Sequence, residues 1–198
     1  DIQAFAKQAY TQSNIEIYGS NINKDDLLNF VQESAFSDLP AGQKLTDDVV
    51  LNSSSYQAKI RSAHPDQVIS IGIPVSPADF ATYETLATYL NFTYKNTLST
   101  LYKLNGTGLF TLISKDSCPA NLSSSFKTLF RDLKDGVDLS SFADLTKLNL
   151  ALKNETTFPD NFEVSSSNEV STFSLPADFS YVTVGRSSSL PDVDELVN

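Results

Sequence analysis

The sequence predicts an α+β fold: a long amphipathic helix packed on a small mixed sheet, followed by a β-rich C-terminal part. Three observations point there. Apolar residues recur at spacings of three and four from Phe80 to Leu104, as on one helical face. β-Branched residues crowd Gln67–Val75, at Val68, Ile69, Ile71, Ile73 and Val75. Beyond Asn154 the apolar residues fall in short runs, Phe162–Val164, Val170–Leu175 and Tyr181–Val184, with Ser165-Ser166-Ser167 and Leu175-Pro176-Ala177 between them. At 198 residues, 40% of them hydrophobic, the chain can bury a core without a metal or a disulfide.

Taken in order, Ile2, Phe5, Ala6, Ala9 and Tyr10 share a helical face over 2–12. Asn23 is placed to cap a second helix, whose first turn holds Asp25 and Asp26 where the helix dipole favours carboxylates. Its apolar face is Leu27, Leu28, Val31 and Ala35, and Pro40 marks its limit. Strands are expected at 49–51, 56–63 and 67–75, with His64-Pro65-Asp66 as the turn before the last. Ser76 then caps a helix with Pro77 at its first position and Asp79 at its third. The seam Phe80, Tyr83, Ala87, Leu90, Tyr94, Thr97, Leu101, Leu104 extends that helix over 76–106, with Gly106 as its C-terminal stop and Phe80, Leu90, Leu101 and Leu104 buried. Six Thr argue for a break near Asn91. Leu109–Ile113 reads as a buried strand, so 67–114 is expected to form a right-handed, parallel βαβ crossover.

Leu122, Phe126, Leu129, Phe130 and Leu133 form the apolar face of a further helix ending at Gly136. Leu139, Phe142 and Leu145 begin a short helical pattern. Leu148, Leu150 and Leu152 then alternate like a strand. The end, from Ser187, reads as an extended or disordered exit. Charge divides the chain as well. Residues 103–153 carry seven basic and five acidic groups, whereas 154–198 carry one basic and eight acidic. This shift predicts a core domain at 1–153 and an acidic, β-rich or extended segment or arm at 154–198.

The net charge of −10 opposes non-specific binding to nucleic acid or to an anionic membrane. No apolar run approaches the roughly 18 residues of a membrane helix. The single Cys rules out an internal disulfide, and one Cys with one His cannot form a structural zinc site. No Met is present, which favours a processed or excerpted chain. Ser, Thr and Asn are abundant, and five glycosylation triplets begin at Asn52, Asn91, Asn105, Asn121 and Asn154. These features favour an exported protein: periplasmic, cell-surface or secreted. Composition alone, however, generates about three such triplets by chance.

Catalytic equipment is sparse. His64 is the one imidazole available to a Ser–His–Asp or Cys–His hydrolase, and Asp66 is nearby, but no G-x-S-x-G elbow accompanies it. A turn residue is the simpler reading. Cys118 precedes Pro119 at a helix start, where a thiolate is stabilised; a buried or incidental thiol is the simpler reading. The acid pairs Asp25-Asp26, Asp47-Asp48 and Asp192-Val193-Asp194-Glu195 match neither a calcium loop nor a glycosidase pair by spacing, and read as solvated surface. Tyr83, Tyr89, Tyr94 and Tyr102 suit either an interface or a core rim. No catalytic, cofactor-binding or metal residue is therefore assigned, and no cofactor is expected. The reading that results is an exported, non-enzymatic interaction or assembly protein, such as a subunit of an envelope or cell-surface complex, with other protein subunits as partners. One alternative is a small-ligand or glycan-binding domain. Another is a hydrolase using His64 or paired carboxylates.

Overall fold

The computed structural model describes residues 1–19, 21–45, 51, 55–104, 106–156, 172–186 and 190–197, with backbone alone at 154–156 and at Val197. The chain divides into two compact units: 1–48 with 157–161, and 49–156 with 162–198.

The first unit holds helix α1 (Ile2–Ala9) and helix α2 (Lys24–Gln32). Asn23 caps α2 as the sequence predicts, its side chain accepting from the Asp25 N–H at 2.9 Å. Polar bonds tie the loop after α2 back to the turn after α1. Asn14 Nδ2 donates to the carbonyls of Gln8 (2.9 Å) and Gln43 (3.1 Å) and to Thr11 Oγ1 (2.8 Å), and its Oδ1 accepts from Leu45 N–H at 2.6 Å. Gln12 N–H donates to the Pro40 carbonyl at 3.1 Å. Neither helix contributes a buried residue.

The second unit is built on strands β1 (Gln57–Arg61) and β2 (Gln67–Val75), helix α3 (Phe80–Thr93), strands β3 (Thr97–Leu104) and β4 (Thr107–Asp116), and helix α4 (Pro119–Asp135). The short strand β5 (Val137–Asp138), helix α5 (Ala143–Thr156), the short strand β6 (Thr172–Phe173), strand β7 (Ser180–Gly185) and helix α6 (Val193–Val197) complete it. The sheet order is β1-β7-β2-β4-β3. β4 runs antiparallel to both β2 and β3, and β7 antiparallel to β2. It follows that β2 and β3 are parallel with β4 between them, and β4 and β7 are parallel with β2 between them. These are two interleaved split βαβ units, the ferredoxin-like arrangement, with β1 added parallel to β7.

One sheet face is covered. Ile69, Ile71, Ile73 and Val75 of β2 and Phe110 and Leu112 of β4 pack under Leu86 and Leu90 of α3. The predicted stripe of α4, Leu122, Phe126, Leu129, Phe130 and Leu133, is buried in full. Gly136 ends that helix with φ of +100°, a conformation that side chains with a Cβ rarely adopt. Burial of this many apolar side chains, each contributing about 1.5–3 kcal/mol, accounts for an independent core.

Four expectations are corrected, the α+β class itself holding. The helix from Ser76 stops at Thr93, and Thr97–Leu104 is a strand. Of the four residues expected inside, Leu90 is buried, Phe80 and Leu101 are partly buried, and Leu104 is exposed. Leu104 pairs with Thr107 across Asn105-Gly106, and Gly106 has φ of +77°. Asn-Gly between paired residues is a hairpin turn signal, and it outweighs the helical seam. The crossover from β2 therefore returns through β3, and β2 meets β4 antiparallel rather than parallel. Third, Leu148–Leu152 continues α5 rather than forming a strand.

The fourth correction concerns the C-terminal part. β7 lies inside the sheet between β1 and β2. Leu190 and Leu196 enter the same core as α4, and the Tyr181 hydroxyl donates to the Pro191 carbonyl at 2.8 Å. Asp192 pairs with Lys59 at 2.6 Å and Glu195 approaches Lys127 at 3.8 Å. The described residues 190–197 are therefore a structural element of this chain's own second unit, and not an arm. The strands expected at 49–51 and 162–164 lie at least in part outside the described residues, as do Asp47 and Asp48.

Candidate interaction surfaces

The residues singled out for chemistry do not converge. His64 is exposed in its turn; its Nδ1 accepts from Asp66 N–H at 3.1 Å, and its own N–H donates to Ser62 Oγ at 3.1 Å. Cys118 is an exposed free thiol at the start of α4, beyond an Asp116 carboxylate that accepts its N–H. Asp25 and Asp26 sit in the exposed first turn of α2. Among the described residues, no three His, Cys, Asp or Glu side chains gather as a metal site would require. Asn91 spends its amide on the chain, holding the Ser99 backbone at 2.9 and 2.7 Å; Asn121 is exposed on α4. Asn52, Asn105 and the side chain of Asn154 lie outside the described residues.

The tyrosines fall mainly on the core reading. Tyr83 packs at 5.2 Å from the Phe110 ring and 5.3 Å from Phe173. Burial, with Asp79 adding to it, pushes its hydroxyl up to about 12. The Tyr94 hydroxyl donates to Asp132 at 2.6 Å, and burial together with that bond raises its pKa. Tyr181 is raised by burial and by the nearby acids Asp192 and Glu195. Of Tyr83, Tyr89, Tyr94 and Tyr102, only Tyr102, on β3, is exposed.

Apolar surface is where the structure departs most from a self-contained protein. On α1, Ile2 is 86% and Phe5 64% exposed, and Tyr10 just beyond it 64%. Leu28 and Phe30 of α2 are also exposed. The sequence shows these faces as amphipathic stripes but cannot say what covers them. In the second unit, the sheet face opposite the helices has no buried side chain: Val68, Leu109, Ile113, Val182 and Val184 are half-buried, and Ile60, Leu98 and Tyr102 are exposed. A hollow of about 290 Å³ lies on it, floored by Gly72, Pro74 and Leu109. Patches of this kind mark association surfaces.

No family model matches the chain. Among curated proteins it is similar to cytochrome b-c1 complex subunit 2, mitochondrial, of Saccharomyces cerevisiae, at 38% identity over 204 residues, 99% of this chain and 54% of the relative. The protein of the same name from Debaryomyces hansenii is 34% identical over 209 residues, again 99% of this chain and 55% of the relative. The chain spans about half the length of the curated relatives it matches. In fold it resembles the inactive domain of an M16 peptidase from Pseudomonas fluorescens (TM-score 0.56, 12% identity, 96% of this chain and 57% of that one). It also resembles a chain of complex III2 from Candida albicans (TM-score 0.56, 11% identity, 89% and 56%). The relatives correct the expectation of a secreted, periplasmic or cell-surface protein, since both are named as mitochondrial. The five triplets that suggested export exceed the roughly three expected from composition by little, and so weigh little against the relatives.

Proposed function

We propose that this chain is part of a non-catalytic subunit of the mitochondrial cytochrome b-c1 complex, and that it supplies surfaces to other protein subunits rather than chemistry. The identity of 38% over almost the whole chain to a subunit of that complex is the observation that carries the reading. The uncovered apolar faces of α1 and α2 support it, because apolar area of that kind is stabilised by association. The sequence supports a non-catalytic role in this span as well. Zinc peptidase motifs of the H-E-x-x-H or H-x-x-E-H type need two histidines four positions apart, and only His64 is present.

The test is to tag the full-length protein at its own locus, isolate mitochondria and resolve detergent extracts on native gels. The tagged protein is expected in the mitochondrial fraction, migrating with cytochrome b-c1 subunits, and its removal should lower the amount of that complex. A tagged protein found outside mitochondria, or migrating apart from the complex, contradicts the proposal.

A further inference from the structure

A hollow of about 470 Å³ opens at the β1 edge of the five-stranded sheet, beside the end of β7. Its volume lies within the range of ligand sites, roughly 300–1,000 Å³. In the parallel register of these two strands, Lys59 stands beside Thr183 and Arg61 beside Gly185. Residues two apart on a strand share a face, so Lys59, Arg61 and Thr183 project to the same side. Gly185 has no side chain to fill the space beside Arg61, and Arg186 follows it at the mouth of the hollow.

One of the two arginines is fixed in place. The Arg186 N–H donates to Gln67 Oε1 at 2.8 Å, and its Nη2 donates to the Ala63 carbonyl at 2.9 Å. Gln67 is 2% exposed and its Nε2 donates to the Pro65 carbonyl at 3.2 Å, so the anchor is itself locked. A Cβ at Gly185 would collide with the Gln67 side chain, and glycine there lets the anchor form. A guanidinium has five N–H donors, so most of those of Arg186 remain for a ligand. Arg61 keeps all of its own: among the described residues its side chain makes no hydrogen bond or ion pair. Thr183 is 3% exposed and lines the hollow, and its hydroxyl has no hydrogen-bond partner among the described residues. Buried hydroxyls are ordinarily paired.

Charge selects the ligand. Lys59 is compensated by Asp192 at 2.6 Å, and no carboxylate is among the described residues that line the hollow. Arg61 and Arg186 are therefore two uncompensated cations in a chain of net charge −10. A phosphate group carries about −1.5 to −2 at neutral pH and presents three acceptor oxygens. Two guanidinium forks and one hydroxyl match it in charge and in donors, whereas a carboxylate would answer only one of the two cations.

We propose that this hollow binds the phosphate group of a small organic phosphate or of a lipid, held by Arg61 and Arg186 with the Thr183 hydroxyl donating to it. Ile60 and Leu190, also in the lining, supply apolar contact for the remainder of the ligand. The site goes beyond the subunit reading and stands apart from it: these residues bind phosphate whichever assembly the chain belongs to.

The test titrates the purified, ¹⁵N-labelled chain at constant ionic strength with inorganic phosphate, with ADP, and with phosphatidylcholine vesicles with and without phosphatidic acid. Saturable shifts are expected at the Arg61 and Arg186 guanidinium signals and at the Thr183 amide with inorganic phosphate. Tighter binding of ADP at the same signals identifies a soluble organic phosphate as the ligand. Sedimentation with the vesicles that requires phosphatidic acid and is competed by inorganic phosphate identifies a headgroup. Arg61→Gln and Arg186→Gln should each weaken phosphate binding at least tenfold, and Thr183→Val roughly two- to tenfold. Lys147→Gln, which removes the same charge from α5, should change it by no more than twofold. The proposal is overturned if no probe gives saturable shifts, or if acetate shifts the same signals as strongly as phosphate. It is overturned equally if Lys147→Gln weakens binding as much as Arg61→Gln, since the attraction would then be the field of the whole chain and not a site.

Discussion

Helices α1 and α4 are both amphipathic by sequence, with apolar residues at helical spacing. In α4, Leu122, Phe126, Leu129, Phe130 and Leu133 are each buried under the sheet's inner face. In α1, Ile2 and Phe5 face solvent, and no residue of the helix is buried. The difference lies in what each stripe meets. α4 is supplied with a sheet by its own unit. The first unit is held instead by hydrogen bonds around Asn14, with Thr11 the buried residue among those described, beside Gly42. Amphipathic periodicity thus specifies a helix and a face, and leaves open whether the partner is in the same chain. The described residues of the first unit form no apolar core to set against their ordering entropy, about 1–2 kcal/mol per residue.

The largest effect that sharpens this contrast is in the second unit. Phe126→Ala should destabilise the chain by about 3–5 kcal/mol in denaturant unfolding, because the side chain is fully buried. A loss below about 1 kcal/mol would mean the core described here does not carry the unit. Next comes Asn14→Ala, which removes four hydrogen bonds in the first unit. It should open 8–45 locally by about 1–3 kcal/mol, read by amide exchange, with the Phe126 region unchanged. A global loss of stability would show that the two units unfold as one.

How far the sequence allowed this to be foreseen differs between elements for physical reasons. α4, β2 and the Asn23 cap were legible because their signals are local: a stripe, an alternating β-branched run, a capping side chain. β3 is hidden in the sequence because Tyr94, Thr97, Leu101 and Leu104 extend the spacing of α3 by coincidence, while Gly106 reads equally as a helix stop. The end of α5 is hidden because Leu148 and Leu152, one turn apart on the same face, flank Leu150 and imitate alternation. The place of β7 was hidden for a different reason. Its partners, β1 and β2, lie more than a hundred residues earlier, and neither charge nor composition near 154 records that pairing. Of the candidate surfaces, the stripes of α1 and α2 were visible but not their exposure.

A smaller effect follows from the buried tyrosines of the second unit. Tyr83 is pushed up to about 12 from its ordinary value of about 10. Between those values the unfolded chain releases the proton and the folded chain keeps it, so stability falls as pH rises above about 10. Tyr83→Phe should flatten that fall, measured as unfolding midpoints across pH 9–12. An unchanged slope would assign the alkaline loss to Tyr94 and Tyr181. The smallest effect is expected at Phe5. Phe5→Ser on the isolated chain should shift stability by no more than about 0.5 kcal/mol, since the ring is exposed, and yet weaken assembly into the proposed complex. A large loss in the isolated chain would mean α1 is already packed.

Amide exchange of α1 and α2, followed in the isolated chain and in the native complex, tests the account most directly. The predicted result is rapid exchange in both helices when the chain is alone, at least tenfold slower exchange on assembly, and little change at Leu90, Phe110 and Phe126. Exchange in α1 and α2 that is equally slow in the isolated chain would contradict the claim that the first unit takes its stabilisation from a partner.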